Sequence, residues 1–65
     1  MIFVAFKVTM GYRDKAGEYH TLDLPGDKNL RLFDACDRAD IYKRWRPDRV
    51  FTVVNEENGD FEYQV

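Results

Sequence analysis

Residues 2–12 read IFVAFKVTMGY. Ile2, Val4, Phe6, Val8, Met10 and Tyr12 share one face at period two, with Lys7, Thr9 and Gly11 on the other. That period predicts a long strand with one buried face. Phe3 and Ala5 make its first half apolar on both sides, which predicts a central place in a sheet. Asp14-Lys15-Ala16-Gly17 follows. An Asp that can bond the backbone and a Gly free to take positive φ are turn chemistry. Residues 18–24 alternate again, with His20, Leu22 and Leu24 opposite Tyr19, Thr21 and Asp23, so a β-hairpin is expected.

Working outward, Pro25-Gly26-Asp27 breaks the strand. Asp27 or Asn29 can cap a helix running to about Arg44. At 100° per residue, Leu32, Phe33, Ala35, Cys36, Ala39 and Tyr42 fall on one broad arc, the face expected to pack on the sheet. Asp34 with Arg38 and Asp40 with Arg44 stand one turn apart and lend helix support. Pro47 pushes Arg46 into extended geometry and stops the helix near Trp45. Residues 49–54 and 60–65 form a second hairpin around Asn58-Gly59. A three-residue loop with Gly59 as a bulge places Phe51, Val53, Tyr63 and Val65 on one face. A two- or four-residue loop selects Val50, Thr52, Val54, Phe61 and Tyr63 instead. The first buries a Phe on the third strand and is preferred.

The order is β-β-α-β-β: a single α+β domain over residues 1–65, a four-stranded antiparallel sheet with one helix on one face. Val4, Phe6, Val8, Leu22, Leu32, Cys36 and Ala39 are the expected core. The opposite sheet face carries Tyr19, Thr21, Val50, Thr52 and Val54.

The sequence has 65 residues, 45% apolar and 15% aromatic, which is too apolar for a disordered chain. A domain of this size leaves little room for both a core and a deep pocket. Net charge is only −2, which argues against nucleic-acid binding by the whole surface. Cys36 is the only cysteine, so neither an internal disulfide nor a cysteine zinc cluster is expected, and the cytoplasm is the expected compartment. Met1–Phe6 lacks a basic leader and meets Lys7 too early for a signal peptide or membrane span.

No catalytic constellation stands out. His20 is the only histidine, the chain has no serine, and His20 reads as a sheet residue with one satisfied nitrogen. Cys36, between Phe33 and Ala39 on the core arc, reads as a small hydrophobe. The glycines form no phosphate loop and the acids lack calcium-loop spacing. We therefore expect a non-enzymatic protein with no metal and no cofactor.

Binding signals remain. Glu56, Glu57, Asp60 and Glu62 crowd the final hairpin, with no basic residue after Arg49. Such a knob suits a partner with a basic surface, and its structural alternative is a solvated turn guarded against edge aggregation. Asp34, Arg38, Ile41 and Trp45 form a narrow stripe opposite the core arc, a composition common in protein hot spots. If the helix ends early, Trp45 instead closes the core. Lys43, Arg44, Arg46 and Arg49 surround Trp45, with Lys28, Arg31 and Arg38 further back. Residues 28–50 hold seven basic and four acidic residues, an arrangement that can grip phosphates and stack on bases or merely suit a helix C-terminus.

Small size, mild acidity and a hairpin/helix/hairpin plan resemble small phage-encoded inhibitors of host machinery, anti-CRISPR proteins among them. The resemblance covers the whole chain as architecture and shares no motif, so no residue carries over. It implies a binder that blocks a nucleic-acid-handling complex, in the host cytoplasm if phage-encoded; a monomer is expected. The modest net charge departs from the strongly acidic DNA mimics of that group. The leading expectation is thus a protein-binding inhibitor using Glu56, Glu57, Asp60, Glu62, Arg38, Ile41 and Trp45. The alternative is a nucleic-acid-binding module using Arg31, Lys43, Arg44, Arg46 and Arg49 around Trp45. A self-associating structural subunit is the third.

Overall fold

The computed structural model of the protein describes residues 3–65, so Ile2 of the expected first strand lies outside the described residues. The elements are β1 (Phe6–Arg13), β2 (Tyr19–Asp23), α1 (Leu32–Trp45), β3 (Val50–Asn55) and β4 (Phe61–Gln64). The sheet is antiparallel in the order β2-β1-β3-β4, so β1 is central as expected, although Phe3 and Ala5, whose apolar character suggested it, lie before the strand. Against the expected strand over residues 2–12, β1 begins at Phe6; Phe3, Val4 and Ala5 precede it outside the strand, and the Ala5 carbonyl accepts the Glu56 N–H at 2.9 Å.

The first hairpin closes as its turn residues dictate. Gly17 takes φ +85°, and Asp14 Oδ1 accepts the N–H groups of Ala16 and Glu18, both at 2.9 Å. The second hairpin reaches the preferred face by a different device. Its loop has four residues, since the Asn55 N–H meets the Asp60 carbonyl at 2.8 Å. The register then shifts by one between Val53 and Val54, where Val54 pairs with Phe61 but Val53 with Tyr63. That bulge restores Phe51, Val53, Tyr63 and Val65 to the core side.

The core is Phe6, Val8, Ala35, Ala39, Phe51 and Val53, with Val4, Leu32, Cys36, Tyr42 and Tyr63 partly buried against it. Leu22, expected inside, is 47% exposed. An α-helix is about 10 Å across and strands lie about 4.8 Å apart, so one helix covers roughly two strands. Here α1 packs on β1 and β3 and leaves edge strand β2 uncovered. Phe33 is also corrected, from the core arc to 82% exposure. The helix meets the sheet through Ala35 and Ala39, both fully buried, so its contact line is centred on small residues one turn apart. Phe33 is turned away from that line.

Neither Asp27 nor Asn29 caps the helix. The N-cap is Arg31, without a side-chain cap, and Asn29 sits at φ +57°. Residues 24–30 instead run on beside β1: the Val8 N–H donates to the Asp27 carbonyl at 3.0 Å, and Phe6 bridges Leu30. This carries the Asp27 side chain under the helix, where it is buried and accepts hydrogen bonds from Arg38 Nη1 at 2.5 Å and Tyr42 Oη at 2.6 Å. The helix pairs are rearranged accordingly. Arg38 serves Asp27 rather than Asp34, and Asp40 accepts from Tyr63 Oη at 2.6 Å.

These two tyrosines make alkaline stability a test of the packing. The hydrogen bond to Asp27, then burial, raises the Tyr42 pKa above the ordinary 10.0, and the bond to Asp40, then burial, does the same for Tyr63. The folded state thus holds protons that the unfolded chain releases near 10.0. Their contribution is complete below that pH and is lost as pH rises through the folded-state values. Urea midpoints should fall from pH 10.0 upward, and fall less in a Tyr42→Phe/Tyr63→Phe double variant. Parallel pH profiles for parent and variant would contradict the assignment.

Candidate functional site

Three large apolar side chains of α1 stand exposed, Phe33 and Ile41 on its outward side and Trp45 on the flank toward Leu24 and Pro25. Phe33 is 82%, Ile41 47% and Trp45 79% exposed. Their placement follows from the contact line. With Ala35 and Ala39 on the sheet, Tyr42 and Cys36 flank the seam and positions 33, 37, 41 and 44 point outward at 100° per residue. Phe33 and Trp45 are twelve residues apart, about 18 Å along the axis. Trp45 stays outside because the helix runs as far as it: the Arg46 N–H still closes on the Tyr42 carbonyl, and only Arg46 leaves helical geometry, at φ −133°, ψ 73°. Beside the Trp45 ring lies an apolar groove of about 280 Å³ lined by Met10, Leu24, Pro25, Tyr42 and Phe51. It exists because β2 and the loop after it project beyond the helix.

The register separates the other expected site residues. Phe6 pairs with Asn55 and Gly11 with Val50, so the β3–β4 turn lies at one end of the sheet and the β1–β2 turn at the other. Glu56, Glu57, Asp60 and Glu62 are all exposed at the first end. Glu56 is not free there: its Oε2 accepts the Asn29 N–H at 2.7 Å and ties the hairpin to the approach of α1. Lys43, Arg44, Arg46 and Arg49 gather at the second end with Arg13 and Lys15. Arg31 lies at the acidic end, apart from the rest of the basic set. Much of that set is occupied. Lys43 Nζ donates to the Arg49 carbonyl at 2.7 Å, Arg49 and Arg46 reach Asp48 at 3.2 and 3.7 Å, and the Arg49 guanidinium lies 4.9 Å from the Tyr12 ring centre. Arg38 is committed to Asp27 and belongs to the fold. A net charge of −2 thus conceals an acidic end and a basic end.

Two reactive groups complete the inventory. Burial first, then the charges of Asp40 and Asp37, push the Cys36 thiol up, which suits a packed side chain and opposes thiolate chemistry. His20 Nε2 lies 2.7 Å from Asp14 Oδ2, and the ring packs on Tyr12 with centroids 5.4 Å apart. That contact, followed by the Glu18 N–H, holds the Asp14 carboxyl below its usual 3.8. Glu18 joins them: one donor atom from each of Asp14, Glu18 and His20 lies within 4.8 Å of the others.

Comparison with protein families, curated proteins and solved structures finds no match. An aromatic helix face beside an apolar groove can bury itself against a protein, and an acidic turn at the start of that helix can orient a basic partner. Phe33 was hidden from the sequence by its place on the apolar arc. The Ala35/Ala39 pair was the signal that could have turned it outward. No helix among the described residues is long and apolar enough to cross a membrane.

Proposed function

We propose that the chain is a protein-binding module that docks through the exposed side of α1, with Phe33, Ile41 and Trp45 as anchors. The observation that carries this reading is the exposure of Phe33 and Trp45 on a helix whose inner side is already packed. Exposed aromatics grouped on one rigid element are characteristic of interface hot spots. The acidic hairpin adjoins the start of α1 through the Asn29–Glu56 bond and supplies steering toward a basic partner surface. In its most specific form the module is a monomeric cytoplasmic inhibitor that occupies a basic surface of a nucleic-acid-handling complex, as the resemblance to phage-encoded inhibitors implies.

One observation favours a second reading. Trp45 stands beside Arg44 and Arg46, and an exposed indole between guanidinium groups suits stacked single-stranded bases. Charge reversal separates the two. Glu57, Asp60 and Glu62 changed to Lys, leaving Glu56 on Asn29, should slow partner association by about tenfold. Arg44 and Arg46 changed to Glu should do little. Titration of labelled single- and double-stranded oligonucleotides should give no binding tighter than the roughly 10⁻⁴ M of weak non-specific contacts. Micromolar binding abolished by the arginine reversal would establish the nucleic-acid reading instead.

A further inference from the structure

We infer that the β1–β2 turn is a binding site for a transition-series divalent cation, with Zn²⁺ the best match, held by His20, Asp14 and Glu18. The site stands apart from α1 and from the acidic hairpin. Its donors already converge. His20 Nε2 and Asp14 Oδ2 are 2.7 Å apart, and the third donor, from Glu18, lies within 4.8 Å of both. An ion about 2.0–2.2 Å from each nitrogen and oxygen ligand fits between donors at such separations once the first two open slightly.

Each ligand is held from a different direction. The imidazole comes from β2, where His20 pairs across to Tyr12 and lies against its ring. Asp14 comes from the end of β1, its Oδ1 occupied by the Ala16 and Glu18 N–H groups, which leaves Oδ2 aimed at His20. Glu18 is fixed through its backbone, whose carbonyl accepts the Asp14 N–H at 2.9 Å, while its side chain is exposed. Turn and strand register therefore set the geometry without the ion. The donor chemistry selects the metal. One imidazole nitrogen and two carboxylates suit Zn²⁺, then Co²⁺ and Ni²⁺, with water completing the shell. Ca²⁺ and Mg²⁺ are hard cations that take oxygen ligands and gain little from the imidazole nitrogen. Arg13, whose Nη1 donates to the Gly17 carbonyl at 2.9 Å, and Lys15 are cations on the same turn and lower the affinity for the ion.

Isothermal titration of the whole chain with Zn²⁺ alone, followed by proton NMR of the single histidine, tests the site. One equivalent of Zn²⁺ should bind and move the His20 ring signals, and Mg²⁺ should do neither. His20→Ala should abolish binding. Glu18→Gln changes an exposed side chain, keeps the fold, and should weaken binding by at least the roughly 10–100-fold that even an outer-sphere partner contributes. The inference is overturned if Zn²⁺ up to millimolar concentration gives neither heat nor a shift. It is equally overturned if Zn²⁺ binds with unchanged affinity after Glu18→Gln and leaves the His20 ring signals unmoved, since the ion is then held elsewhere.

Discussion

Phe51→Ala should leave the protein largely unfolded at room temperature. Phe51 is 2% exposed near the start of β3, and its ring packs on Tyr42 with centroids 5.7 Å apart at 43°. Truncating a buried Phe to Ala costs about 3–5 kcal/mol, because the transfer free energy is lost and a cavity is left. A core in a chain of this size supplies only about 3–5 kcal/mol in all. The two magnitudes are equal, so the folded population should collapse. The same truncation at Phe33, which touches little, should cost no more than about 0.5 kcal/mol. Circular dichroism with urea titration compares the two. A cooperative Phe51→Ala transition near the parent midpoint would show that the core is centred elsewhere.

The contrast between these two phenylalanines marks what could be read from the sequence. Element order, the two hairpins and the Asp14–Gly17 turn were legible because period-two alternation and Gly/Asn punctuation are local properties, whereas Asn58-Gly59 marked the second hairpin but not its loop, expected with three residues and found with four. The outer face of α1 was not. An arc drawn through Leu32, Phe33 and Tyr42 locates apolar residues, but the sheet approaches where side chains are smallest, at Ala35 and Ala39, and Phe33 is left in water. Leu22 failed for a related reason: its alternation is correct, but the helix is too narrow to reach β2. Asp27 in Pro25-Gly26-Asp27 has the local chemistry of a cap, and only the run of residues 24–30 beside β1 converts it into a buried anchor for Arg38 and Tyr42. The register shift that restores the core face lies between Val53 and Val54, outside the loop.

The candidate surface follows the same division. Trp45 and Ile41 were named from the helical wheel and are exposed, and Phe33 extends the face toward the acidic hairpin. Arg38 was named with them, yet its guanidinium is spent on Asp27. A charge on a wheel has no direction until its partners are known, and the partner here lies eleven residues back in a loop.

The most direct test of the protein-binding account is a triple substitution, Phe33→Ser, Ile41→Ser and Trp45→Ser, compared with the parent by affinity capture from lysate of the native cell and mass spectrometry. All three side chains are exposed, so each change should stay within about 0.5 kcal/mol and the variant should fold like the parent. Hot-spot anchors cost about 2 kcal/mol or more apiece, so losing three should weaken a genuine partner by well over a hundredfold. The account predicts a protein retained by the parent after nuclease treatment and absent from the folded triple variant. Retention of the same proteins by both chains, or capture that disappears with the nuclease, would contradict it.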